Sequence, residues 1–175
     1  KTPHNVTLIG NTNTEVDDIS YSNILGGTLK VYGEILNCTV DVYKIHIWKD
    51  CTTSTINCNY EELSDWDEDA ADVQKSTINC RDTLTVHCMI ANTVIEDSFI
   101  NARYMLVVKH ASWTVETSDA ELDIKSSVIN IIEGLELTNT ILSVWDFARI
   151  EAGWITTGVA GAEDEGFIRT HDGNF

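Results

Sequence analysis

Asp65, Asp67 and Asp69 alternate along an acidic stretch, the spacing with which calcium loops collect carboxylate oxygens. The EF-hand pattern breaks at Ala70, where the sharp turn needs glycine, and at Ser76, where a glutamate should close the site. The stretch reads as a solvated acidic loop, and calcium at these three aspartates is the only cofactor left open. Glu163-Asp164-Glu165-Gly166 reads the same way. Carboxylate pairs about 5–10 Å apart would suffice for glycoside cleavage, and Asp41, Glu96, Asp97, Glu116, Asp119, Glu121 and Asp123 are available for it. Among 28 acidic residues some close pair arises by accident, so no catalytic residue is assigned. None of His4, His46, His87, His110 and His171 has a metal-ligating partner at helical or turn spacing. His46 and His87 fall inside strand patterns and read as strand-face residues. Exposed indoles grip sugar rings, which makes Trp66, Trp113, Trp145 and Trp154 the binding candidates; packing in the core or a subunit interface is their competing role.

Composition narrows the partners. A net charge of −17, from 28 acids against 11 bases, argues against nucleic acid and anionic membrane, because phosphate contacts need clustered Lys and Arg. No apolar run approaches the roughly 20 residues of a membrane-spanning helix. At 175 residues and 43% hydrophobic content the chain fits one domain with a sizeable core. Cys38, Cys51, Cys58, Cys80 and Cys88 are an odd set without a C-x-x-C pair. They read as reduced, buried small hydrophobes rather than a disulfide framework or zinc site. Asn5-Val6-Thr7 and Asn37-Cys38-Thr39 fit the glycosylation pattern, which is short enough to arise by chance. A chain opening on Lys1, with neither Met nor an apolar leader, reads as processed or as a piece of a longer one.

Short strands must position these residues. Val, Ile and Thr alternate with other types over 28–32, 39–48, 83–88, 104–108, 135–137 and 141–145. Residues 60–75, rich in Glu, Asp and Ala, are the best helical candidate. Ser54-Thr55-Ile56-Asn57-Cys58 recurs as Ser76-Thr77-Ile78-Asn79-Cys80, and its centre as Leu36-Asn37-Cys38, Ile100-Asn101-Ala102 and Ile129-Asn130-Ile131. The asparagines are spaced by 20, 22, 22 and 29 residues. A period of about 20–22 residues suits three short strands and three turns stacked on copies of themselves. Asn37, Asn57, Asn79, Asn101 and Asn130 are then a stack at a turn, where asparagine tolerates left-handed backbone. Their side chains can hydrogen-bond along the axis. Cys38, Cys58 and Cys80 form an internal stack continued by Ala102 and Ile131.

This combination of period and ladder resembles the right-handed parallel β-helix of pectate-lyase-like proteins, including bacteriophage tailspikes and fibres, over roughly residues 25–150. The resemblance implies an all-β chain: a short right-handed parallel β-helix over 1–152 and a Gly-rich cap or arm over 153–175. An acidic insertion at 61–72 projects as a loop or single helix, and a further insertion or a change of register lies near 109–126. A β-sandwich or jelly roll is the alternative, although it gives no reason for the Ile-Asn-Cys recurrences. With no catalytic set visible, the expected function is a non-enzymatic structural or receptor-binding segment of a viral fibre-like assembly, in a phage tail or head. Open ends of such a coil expose strand edges that need covering. The expected partners are therefore sister chains in a homotrimer and other virion proteins, with a cell-surface glycan as receptor, in the virion or outside the cell. A carbohydrate-active β-helix enzyme, hydrolase or lyase, and a cell-surface adhesin are the alternatives.

Overall fold

The computed structural model describes residues 7–10, 13–63, 72–88, 93–109, 120–138, 140–157 and 167–170. Their chain coils into a parallel β-helix whose turns alternate between a sheet of long strands and a sheet of short ones. The first turn carries β1 (Thr7–Gly10) and β2 (Thr14–Val16) of the long-stranded sheet and β3 (Ile19–Ser20) of the other. Next come β4 (Asn23–Val31) with β5 (Ile35–Leu36), β6 (Thr39–Ile47) with β7 (Cys51–Thr52), and β8 (Thr55–Leu63) with β9 (Val73–Gln74). They are followed by β10 (Thr77–Cys88) with β11 (Thr93–Glu96), β12 (Phe99–Lys109) with β13 (Ala120–Lys125), and β14 (Val128–Thr138) with β15 (Thr140–Trp145). β16 (Arg149–Thr156) and β17 (Phe167–Thr170) complete the coil. Each strand pairs in parallel with its counterpart on the next turn.

Side-chain alternation explains both the core and the bend in each long strand. In β6, Val40, Val42, Ile45 and Ile47 are buried, while Tyr43 and Lys44 are adjacent and both exposed. Two consecutive outward residues force the strand to bend, so the long-stranded sheet has two faces and the coil three sides. Inward residues stack in columns: Ile24, Val40, Ile56, Ile78, Ile100 and Ile129 form one. Val31, Ile47, Leu63, Val86, Val107 and Leu137 form another. Each fully buried aliphatic side chain contributes about 1.5–3 kcal/mol.

Six of the turns back into the long-stranded sheet are alike; the last, from Val144 to Ile150, is one residue longer and holds two left-handed residues, Asp146 and Phe147. An offset of five positions leads from Ile19 to Ile24, Ile35 to Val40, Cys51 to Ile56, Val73 to Ile78, Ile95 to Ile100 and Ile124 to Ile129. Each of these turns holds one left-handed residue: Tyr21, Asn37, Thr53, Lys75, Asp97 or Ser126, with φ between 47° and 53°. The following position is Ser22, Cys38, Ser54, Ser76, Ser98 or Ser127. Here a serine ladder closes the buried backbone: Ser54 N–H donates to Ser76 Oγ (3.0 Å), Ser76 N–H to Ser98 Oγ (3.1 Å) and Ser98 N–H to Ser127 Oγ (3.0 Å).

Apart from that extra residue and small bulges after Cys80 and Ile131, the length variation lies at the opposite corner. The inward offset there is four from Val31 to Ile35 and from Ile47 to Cys51. It is ten from Leu63 to Val73, nine from Val86 to Ile95, 17 from Val107 to Ile124 and seven from Leu137 to Val144.

Several expectations change as a result. The elementary turn is 16 residues, the step from Thr7 to Asn23 to Thr39 to Thr55, and the 20–22-residue period belongs to turns carrying insertions. Asn37 leaves the asparagine stack: Asp41, not Asn37, lies against Asn57, and Asn37 occupies the left-handed turn. Cys38 leaves the cysteine stack for the same reason and replaces serine in the ladder, its N–H donating to Ser54 Oγ at 3.0 Å. The stacked asparagines, conversely, sit inside extended strands rather than at a turn. Residues 60–63 are strand rather than helix or insertion, because Glu61 and Leu63 continue the inward alternation. The coil also runs past residue 152, since β16 extends to Thr156 and β17 pairs with β15.

Candidate functional site

Asn57, Asn79, Asn101 and Asn130 lie in register on consecutive turns of the long-stranded sheet. The buried isoleucine before each one turns the carboxamide outward. Asn79 Nδ2 donates to Asn57 Oδ1 (2.9 Å), Asn101 Nδ2 to Asn79 Oδ1 (2.8 Å) and Asn130 Nδ2 to Asn101 Oδ1 (3.0 Å). A carboxamide has two N–H donors and an oxygen with two lone pairs. At Asn79 and Asn101 the ladder uses one of each, which leaves one donor and one acceptor per turn for a ligand. Asp41 and Glu151 continue the column at its two ends.

A concavity of about 250 Å³ runs beside the ladder, lined by Asn79, Asn101, Asn130, Arg81, Arg103 and Ile132 among others. Arg81 and Arg103 follow their asparagines by two positions, so two consecutive turns present the same Asn-x-Arg pair. Arg103 Nε donates to Glu133 Oε1 at 2.8 Å; Arg81 makes no hydrogen bond or ion pair among the described residues. Ile132 is 78% exposed at the rim. Beyond the bend, Tyr60, Thr83, Tyr104, Gly134 and Trp154 form a parallel outward column. The Trp154 indole lies over Gly134, where a Cβ would fall inside its ring. Its centroid is 5.9 Å from that of Tyr104, and Tyr43 meets Tyr60 edge-on at 5.6 Å. Burial, and then the hydrogen bond from its hydroxyl to Glu136, push the Tyr104 phenol up to about 12.

Of the tryptophans, Trp154 lies on this face, 47% exposed. Trp145 is on the short-stranded sheet, where its Nε1 donates to Asp123 Oδ1 at 2.8 Å, so the two do not share a face. Trp48 is buried and stacks on Tyr32 at 4.6 Å. Trp66, Trp113, Asp65, Asp67 and Asp69 lie outside the described residues. Glu116 and Asp119 lie outside the described residues, and the other acid candidates are dispersed: Asp41 ends the ladder column, Glu96 lies against Lys125, Glu121 accepts from the Ser143 hydroxyl, Asp123 accepts from Trp145, and Asp97 occupies a left-handed turn. Among the described residues no three His, Cys, Asp or Glu side chains are grouped to hold a metal, and no helix is long and apolar enough to cross a membrane.

One cluster escaped sequence reasoning. Glu62 stands between two histidines, with Oε2 3.7 Å from His46 Nδ1 and Oε1 3.2 Å from His87 Nε2. The His87 contact holds the Glu62 carboxyl below its usual range, and burial against Trp48 pushes His46 down to about 4. His46 and Glu62 are one 16-residue turn apart, so the correct period would have paired them. All five cysteines are buried and free; Cys58 lies in register with Cys80, and burial pushes the Cys88 thiol up to about 12.

No protein-family model matches this chain, and neither a curated protein nor a solved structure is significantly similar to it.

Proposed function

We propose that this chain is a non-enzymatic, receptor-binding structural segment of a fibre-like viral assembly, and that the face carrying the asparagine ladder binds a cell-surface glycan. The observation that carries the reading is the pairing of an outward carboxamide ladder with a parallel strip of Tyr43, Tyr60, Tyr104 and Trp154. Sugar hydroxyls both donate and accept, as does each free carboxamide edge, and sugar rings pack on aromatic faces. The ladder is fixed by hydrogen bonds along the axis, so little ordering cost falls on binding.

Assembly with sister chains fits the edge formed by the short turns back into the long-stranded sheet. Tyr21, Phe99 and Phe147 are exposed along it, while the long insertions leave from the opposite corner. Exposed aromatics on an uninterrupted edge suit the apolar centre of a subunit interface. A homotrimer among other virion proteins is the arrangement we infer.

A glycan panel tests the reading. The chain should retain at least one glycan class and leave it intact after prolonged incubation. Release of new reducing ends or unsaturated sugars would replace this reading with a carbohydrate-active enzyme. Failure to retain any glycan would remove the receptor role.

A further inference from the structure

We propose that Cys58 and Cys80 are a site of reversible oxidation, at which hydrogen peroxide attacks Cys80 and the two sulfurs then close into a disulfide that staples β8 to β10. Cys58 and Cys80 directly follow Asn57 and Asn79, so they point inward behind the asparagine ladder. They lie in register on adjacent turns, about 4.8 Å apart, and a disulfide spans Cα atoms about 4.4–6.8 Å apart. Of the five cysteines, only these two occupy the same position of adjacent turns. Cys38 stands in the serine ladder, Cys51 lies between Ile35 and Val73, and Cys88 lies against Lys109.

The surroundings make the two thiols unequal. Cys80 is among the residues lining the concavity, and the ladder of β10 is interrupted by the bulge directly after it, where the backbone opens most readily. Cys58 lies deeper, with Glu61 Oε2 3.9 Å from its sulfur. Hydrogen bonds from Cys58 and from the backbone at Asp82 and Glu61 outweigh burial and hold the Cys80 thiol below its ordinary range, whereas the contact with Cys80 and then burial push Cys58 up. Cys80 is therefore the nucleophile and Cys58 the resolving thiol. The Cys80 sulfur attacks one peroxide oxygen; the O–O bond breaks, and the hydroxide that leaves takes up the proton Cys80 released. The Cys58 sulfur then attacks the resulting sulfenic acid. The S–S bond forms, the S–O bond breaks, and the Cys58 proton leaves in water. Peroxide is the two-electron oxidant, and the two thiols are what it oxidises.

The test treats the folded, whole chain with hydrogen peroxide, removes the oxidant, then unfolds and alkylates the protein for peptide mapping by mass spectrometry. Before treatment all five cysteines should be alkylated; afterwards only Cys38, Cys51 and Cys88 should be, with Cys58 and Cys80 recovered as one linked peptide. Dithiothreitol should restore all five. Cys80 should be lost about tenfold or more faster than Cys51 or Cys88, which are buried without a partner thiol in register. In Cys58→Ser, a sulfenic-acid trap such as dimedone should label Cys80; in Cys80→Ser it should leave Cys58 unlabelled. Five alkylated cysteines after a treatment that consumes free cysteine in the same solution would overturn the proposal. So would a linkage other than 58–80, or loss of all five thiols at one rate. The mapping of the unsubstituted chain decides these points even where a serine variant does not fold.

Discussion

At the residue scale, Glu61 is the least comfortable side chain. It is 2% exposed and occupies the inward column between Ile45 and Leu84. Among the described residues its Oε1 has no hydrogen-bond partner, and its Oε2 is 3.9 Å from Cys58 Sγ. Burial pushes this carboxyl well above the usual carboxylate range, because the ionised form would lose its hydration. A carboxyl whose folded pKa is raised keeps its proton in the native state after the unfolded chain has released it. Its contribution is therefore fully present below the unfolded value and is lost as pH rises through the folded one. Glu61→Leu, which restores the apolar column, should stabilise the chain by about 2 kcal/mol or more at pH 8, and by less at pH 5. Thermal melts of both proteins at the two pH values isolate this group from the general acidity; a Leu variant less stable at both would contradict it. Residue types alone marked Asn57, Asn79, Asn101 and Asn130 as a set, because Ile-Asn repeats where an inward and an outward position alternate. They could not mark Glu61 as core, since Glu61-Glu62 opens an acidic run and only the phase of the strand distinguishes the two.

At the scale of elements, the fold is set by one turn that recurs six times. Ser76 Oγ accepts the buried Ser54 N–H at 3.0 Å and donates to the Gln74 carbonyl at 2.8 Å. Ser76→Ala leaves that N–H without a partner and should cost about 1–3 kcal/mol. For a chain of this length the melting temperature falls by about 2–4 °C per kcal/mol. A variant melting with the wild type would show that the ladder is incidental. The serine column was only half legible. Ser54 and Ser76 stand in the matched pentapeptides, but Ser98 and Ser127 are followed by Phe99 and Val128 rather than threonine. The period was obscured by coincidence. Two successive steps are both 22 residues, yet one places ten positions at the variable corner and the other nine together with a bulge after Cys80. Equal totals from unequal parts concealed the 16-residue turn, and with it the true partners of Asn37 and Cys38.

At the scale of the whole molecule, charge and shape pull in opposite directions. A net charge of −17 per chain opposes close association, whereas the aromatic edge of Tyr21, Phe99 and Phe147 favours it. Salt screens the repulsion within about 10 Å at 0.1 M, so the assembly should tighten as ionic strength rises. Light scattering in moderate salt should give three times the 19.5 kDa of one chain; a monodisperse monomer at micromolar concentration would contradict the trimer. The strand content, the parallel stacking and one long column were all legible in the sequence because they follow from alternation and repetition. Which face meets a ligand was not, because it depends on the bend that brings Arg81, Arg103 and Trp154 alongside the ladder. The most direct test of that face is the side-chain amide NMR spectrum during titration with the best-retained glycan. The Asn79 and Asn101 carboxamide signals should move furthest and saturate with the bulk affinity, while Gln74, outward on the short-stranded sheet, stays in place. Shifts centred on Gln74 and the Trp145 indole, with the ladder unmoved, would contradict the account.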